Sequence, residues 1–402
     1  MLFFELLQVA IGNRRELSHT PTAKEWSELY ALAQKQTLVG IAFRGVEQLP
    51  ESQRPPMQLL LQWMMATERI KALNADLDRK ALAVANKFLK EGFPGMVLKG
   101  QGIAQLYRVG QIENSKLKIE NYHPEDKPND NVDDNRRPLT VDSGQLSIKE
   151  YRTPGDIDIW LHGSREGILG YVRQYVPDCK PVYHHVDFPV VDRLDIEVHF
   201  TPSWMNSPVT NRRLQRFFRE SADALFTRND NVNADDNCQQ PYTELPVPSL
   251  AFNRVYILVH IYRHLFHEGI GLRQLLDYYF VLSQGFTGEE HAATMRTLRS
   301  LRMQRFTAAV MWVLQRVYGM DDRYLLTAPN EREGRFLLNE IMLAGNFGHY
   351  DERLQHERGE SALHWGLRKV KRNFRFMFSY PSEVLWSPLF KLWHWGWRKK
   401  HA

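Results

Sequence analysis

Asp156 and Asp158 sit two residues apart in the stretch Tyr151 to His162, at the head of an apolar run formed by Ile157, Ile159 and Leu161. On a strand, side chains at i and i+2 share a face, so the two carboxylates leave the sheet together, a few ångströms apart. Like charges that close call for a neutralising cation, and a hard, oxygen-seeking ion such as Mg²⁺ is the usual one. The alternative is a surface strand carrying two solvated acids.

A second strand signal lies in Leu194 to Phe200, which alternates strictly. Asp195, Glu197 and His199 share one face while Ile196 and Val198 share the other, so the polar face looks into water or into a site. Upstream, Met96 to Leu98 reads as a short apolar strand that breaks at Gly100 and Gly102 and enters a helix. Glycines at such a turn let the backbone approach a ligand, and the helix N-terminus favours a phosphate. Lys99 adds a positive charge there. His260, His264 and His267 fall at i, i+4 and i+7 on one helix face, a spacing conceivable for zinc but lacking a glutamate-centred motif or cysteine partners.

The elements that must position these groups are mostly helices. Residues 1 to about 92 repeat apolar side chains at helical spacing and stop at Gly92 to Gly95; residues 93–205 hold the strand signals, and the chain is again largely helical over 206–402. The expected fold class is α+β, a small mixed β-sheet core between helical N-terminal and C-terminal regions. From about 111 to 148 the composition turns polar and rich in Asn and Asp, which reads as a solvated insertion that should be dispensable between residues 113 and 146. A second polar loop is expected at Asn229 to Gln240.

Composition places few further limits. The 402 residues suffice for two or three domains, and 43% hydrophobic with 25% charged residues is ordinary for a globular protein. A net charge of +5 with a pI near 9.0 suits an anionic substrate and gives no strong nucleic-acid signal. Two cysteines, Cys179 and Cys238, lack metal-ligand spacing and point to a reducing, cytoplasmic setting. The N-terminus has no basic leader, and no apolar run approaches the roughly 20 residues of a membrane span. The tail from Arg368 is basic and tryptophan-rich, a composition shared by interfacial membrane helices and by helices that pack on a domain.

Taken in order, Leu98-Lys99-Gly100, Tyr107, Arg152, Gly155-Asp156-Ile157-Asp158, Glu197-Val198-His199 and Gly271 to Asp277 resemble an uncharacterised bacterial nucleotidyltransferase family of the DNA polymerase beta-like superfamily. The resemblance spans roughly residues 93 to 285. It implies transfer of a nucleoside monophosphate from an NTP to an unidentified acceptor, with Mg²⁺ or Mn²⁺ held by Asp156, Asp158 and Glu197. Asp195 competes with Glu197 for the third place. Lys99, Gly100 and Gln101 would meet the β and γ phosphates, although the superfamily has a serine where Gln101 stands. Arg152 would pair with a phosphate or with Asp156, and Arg263, His264 and Arg273 would face the acids as a cationic wall. A nucleotide- or partner-binding protein on a degenerate transferase scaffold is the alternative. If the three acids form one metal site, removing one should relieve repulsion in the metal-free protein.

Overall fold

Helical spacing and good caps account for the start of the chain. In the computed structural model, which describes residues 1–110, 145–189, 194–226, 240–353 and 361–401, α1 (Leu2–Ala10), α2 (Ala23–Lys35), α3 (Val39–Gln48) and α4 (Met57–Lys90) come first. Thr22 and Glu25 cap α2 reciprocally. No glycine or proline interrupts α4, which runs unbroken for 34 residues. Its first half brings Trp63 edge-on to Trp26 at 6.2 Å. Its second half lays Leu77, Ala81, Val84 and Phe88 under a sheet.

That sheet forms from β1 (Gly95–Val97), then, after α5 (Gln101–Ala104) and the small pair β2 (Arg108–Gly110) and β3 (Gln145–Ser147), from β4 (Ile157–Leu161), β5 (His185–Asp187) and β6 (Ile196–His199). Helix α6 (Arg165–Tyr175) lies between β4 and β5 in the chain. The order is β1-β4-β6-β5, with β4 and β6 parallel and both outer pairs antiparallel. Ile157, Ile159 and Leu161 pack with Phe88, Ile168 and Val172 on one face. Each such burial stabilises by about 1.5–3 kcal/mol. A one-residue slip of β4 would forfeit all three and turn Asp158 into the apolar layer, so the register is firmly set.

The expected α+β class is what the structure has. The polar segment differs at one boundary: Gln145–Ser147 pairs with Arg108–Gly110, and Ile148 behind it is fully buried. The insertion therefore ends near residue 144, because Ile148 belongs to the core. Residues 111–144 lie outside the described residues, as do 227–239, which hold Cys238 and all of the second polar loop but Gln240.

Helices α7 (Pro208–Phe226), α8 (Leu250–His267), α9 (Leu272–Ser283), α10 (Gly288–Ser300), α11 (Gln304–Tyr318), α12 (Glu331–Ala344), α13 (Ala362–Phe374) and α14 (Pro381–His401) complete the chain. One apolar core joins Phe3 and Trp63 to Tyr256, Leu275 and Val384, so helices from both ends of the sequence pack together. Trp160, on the Asp158 side of β4, stacks on Phe252 of α8 at 5.7 Å and carries that core to the sheet. The tail packs in part: Tyr183 donates its backbone N–H to His394 Nε2 at 3.2 Å, and Arg165 lies over the Trp397 ring at 4.5 Å. Leu389, Leu392 and Trp395 nevertheless stay more than half exposed. Among the described residues no helix is long and apolar enough to cross a membrane.

Candidate functional site

Parallel pairing sets Asp158 opposite Glu197 and Trp160 opposite His199. Residues 158, 160, 197 and 199 therefore leave the sheet on one side. His199 Nε2 donates to Asp158 Oδ1 at 2.9 Å and lies 3.3 Å from Glu197 Oε2. Both carboxylates can only accept, which puts the proton on that nitrogen. His185 Nδ1 extends the chain of contacts, 3.3 Å from Glu197 Oε2 and 2.9 Å from His184 Nε2.

Asp156 stands just before β4 and is partly open, whereas Asp158 is 1% exposed. Between them is Lys99, whose Nζ is 3.0 Å from Asp156 Oδ2 and 2.9 Å from Asp158 Oδ2. The Leu98 N–H donates to the Asp158 carbonyl at 2.9 Å, which fixes the turn that delivers the lysine. Gly100 follows with φ +55° and ψ −112°, a backbone state that a side chain disfavours. The aspartate pair is thus not left in bare repulsion, as the strand pattern alone suggested. An ammonium and an imidazolium already face it.

These charges shift one another. Burial pushes the Asp158 carboxyl up, but Lys99 and His199 outweigh it and hold the group below the usual range. Glu197 is likewise raised by burial yet drawn down to about 2 by His199 and His185. Burial disfavours the His199 cation, and its hydrogen bonds to Asp158 and Glu197 reverse this, lifting it to about 9. Burial holds His185 neutral, near 4.

A cleft of about 660 Å³ opens over Asp156, Asp195 and Glu197 and is also lined by Arg273, Asn346 and Phe347. A narrower recess of about 20 Å³ joins Lys99, Gly100 and Asp156 to Arg273 and Phe347. Arg273 is buried, donates to the Thr153 and Pro154 carbonyls at 2.9 and 3.3 Å, and keeps an Nε without a partner. Burial, and then the neighbouring Arg152, lower its pKa to about 10.

Other expected residues sit elsewhere or are already engaged. Gln101 donates to Asp78 at 2.6 Å and lines a separate cavity with Lys149, away from the Lys99 recess. Arg152 forms a buried two-bonded bridge with Asp277, at 2.7 and 2.8 Å, rather than with Asp156. Tyr107 donates to the same carboxylate at 2.6 Å. Arg263 lies over Trp204 at 4.2 Å and His264 pairs with Glu268 at 3.0 Å, so of the expected cationic wall Arg273 is the member that borders the cleft. Among the described residues, His260, His264 and His267 form no metal-ligating group. Asp195 is exposed and enters no such group, whereas Glu197 does.

Asp158, Glu197 and His199 each offer a ligand atom within 4.8 Å of the others. Asp158 Oδ2 is buried and, despite the nearby ammonium, lacks a well-angled hydrogen bond. With the His199 Nε2 proton lost, this mixed oxygen and nitrogen set fits a divalent ion. Asp156 enters no such group among the described residues, and its carboxylate pairs with Lys99. His199 was not among the expected ligands, although the alternation of β6 had placed it on the Glu197 face. Asn346 and Phe347 carried no sequence signal.

Neither curated proteins nor solved structures provide a significant match to the chain. A family described as uncharacterised nucleotidyltransferase matches residues 22–112 and 149–319, and its gap falls on the polar insertion. A match over more than half the length, carrying the paired strands and the Lys99 turn, means that the chain belongs to this uncharacterised nucleotidyltransferase family.

Proposed function

We propose that the protein transfers a nucleoside monophosphate from an NTP to an acceptor, with Asp158, Glu197 and His199 holding a divalent ion such as Mg²⁺ or Mn²⁺. The observation that carries this reading is the pairing of Asp158 with Glu197 on parallel strands at one edge of a cleft that has Lys99, Gly100 and Arg273 close by. The cleft's volume is in the range that small-molecule sites occupy.

In the transfer, an acceptor oxygen bonds to the α-phosphorus, the α–β bridging P–O bond breaks, and pyrophosphate leaves with its electron pair. The bound ion would acidify the acceptor hydroxyl, whose proton is lost to water, and offset charge at the α-phosphate. Lys99 and the Gly100 turn are suited to the departing phosphates, with Arg273 as a second cation. Asp156 positions Lys99 and borders the recess.

A second reading, a nucleotide-binding protein without turnover, is favoured by one observation: Gln101, which follows the turn glycine, is committed to Asp78. Pyrophosphate release is the deciding assay, run with each NTP, Mg²⁺ or Mn²⁺ and a panel of hydroxyl acceptors. Release that disappears in Asp158→Asn and Glu197→Gln supports transfer. Tight NTP binding that depends on the same acids without release supports the second reading, and NTP binding indifferent to both substitutions removes the site.

A further inference from the structure

Part of the cleft's lining lies where three helices meet at one glutamine. Gln36, fully buried just after α2, donates to the Ile341 carbonyl of α12 at 3.2 Å and accepts the Leu272 N–H at the start of α9 at 2.9 Å. Next to it Thr37 has φ +56°, and Phe347, in the same lining, has φ +50°. Three described non-glycine residues have positive φ, and these two both line the cleft. Left-handed backbone at a β-branched or aromatic residue persists only where its surroundings hold it, and it concentrates at functional sites.

Asn346 stands beside them. It is 8% exposed, lines the cleft, and its Oδ1 has no hydrogen bond. Gly271 makes room for it, since a Cβ there would come within 2.9 Å of the Asn346 Cα. The Asn346 Oδ1 packs against Gly271, while the residue itself lines the cleft. The Phe347 ring is half-buried, with the Arg273 guanidinium carbon 5.9 Å and the His264 ring centroid 5.3 Å away. It borders both the large cleft and the Lys99 recess. Both residues lie beyond the stretch that the family matches, so membership assigns them no role.

We propose that Phe347 and Asn346 form the nucleobase wall of this site: the ring stacks on the base, and the carboxamide reads its edge. This rests on the nucleotidyltransferase reading. Every base offers a π-face to an aromatic ring, whereas a fixed amide discriminates among base edges. The phosphates would then lie in the cleft at the mouth of the Lys99 recess while the ring takes the base.

The test is calorimetry with Mn²⁺, using ATP, CTP, GTP, UTP and inorganic tripolyphosphate as separate ligands. Phe347→Ala should weaken binding of the NTPs about ten-fold or more, in line with the usual contribution of base–aromatic stacking, and leave tripolyphosphate unchanged. Phe347→Trp should restore NTP affinity, and Asn346→Ala should narrow the differences among the four NTPs. Phe347→Leu, which keeps the apolar bulk without a π-face, gives the same reading should the alanine variant fail to fold. Equal losses for tripolyphosphate and NTPs, or no loss at all, would overturn the wall and leave the transferase reading standing. A wild type that binds neither NTP nor tripolyphosphate overturns both.

Discussion

The Lys99 ammonium lies 2.9 Å from the Asp158 carboxylate, between the two aspartates, where a bridging cation would otherwise sit. The chain thus carries its own counter-charge. In chelator, Lys99→Met should cost about 3–5 kcal/mol, the usual cost of leaving one member of a buried pair alone. Added Mn²⁺ should raise the melting temperature of the variant more than that of the wild type. Asp158→Asn, which repulsion alone predicted to be neutral or stabilising, should also lower the chelator melting temperature, since Lys99 and His199 would then face an amide. If both variants melt with the wild type in chelator, the lysine is not the internal counter-ion.

Stability should depend on pH through His199. Its folded pKa, about 9, lies above the unfolded value of roughly 6.5. The stabilisation is therefore fully present below about pH 6.5 and is lost as pH rises through 9. The loss should be on the order of 3 kcal/mol across that window, from 1.36 kcal/mol per pKa unit. Denaturant titrations in chelator at several pH values, wild type against His199→Gln, provide the check. A difference between the two proteins that stays constant from pH 6.5 to 9 would rule out a charged His199 in the metal-free fold.

Two arginines near the recess should separate binding from folding. Arg152 is consumed by Asp277, so Arg152→Met should destabilise by about 3–5 kcal/mol. The surviving folded protein should bind NTP with little change. Arg273 holds backbone carbonyls and borders the cleft with a free Nε, so Arg273→Ala should weaken NTP binding about ten-fold, as expected for a charge-assisted hydrogen bond. Parallel melting curves and NTP titrations distinguish the two. Reversal, with Arg152 controlling affinity and Arg273 only stability, would move the phosphate site.

How far these relationships could be read in advance depends on their range along the chain. The alternation of β6 carries its own period, so Glu197 and His199 could be placed on one face without any partner in view, as could the core side of β4. The role of Lys99 could not, because its partner Asp156 is 57 positions away and only the fold brings them together. The same holds for Arg152 with Asp277, separated by 125 residues, and for Gln101 with Asp78. For Arg152 and Gln101 residue type suggested a phosphate ligand, and a distant carboxylate claimed each. Phe347 had no signal because its significance lies in a backbone angle and a cavity.

The polar insertion should be removable at the ladder that brackets it. Gly110 and Gln145 are direct partners in an antiparallel pair, so their Cα atoms are about 5 Å apart and a turn of a few residues can join them. Replacing residues 111–144 with a short Gly/Asn turn shortens the loop, and closure entropy changes by only about 0.6 kcal/mol per doubling of length. The cut must spare Gln145 to Ile148, because Ile148 is fully buried and its N–H donates to the Tyr107 carbonyl at 2.8 Å. The shortened protein should melt within a few degrees of the wild type and keep its NTP affinity. A longer deletion that also removes residues 145–148 should melt well below it, since it strips a core side chain and a ladder strand together. If the short deletion fails to fold while the wild type is stable, residues 111–144 contribute to the core and the insertion is part of the fold.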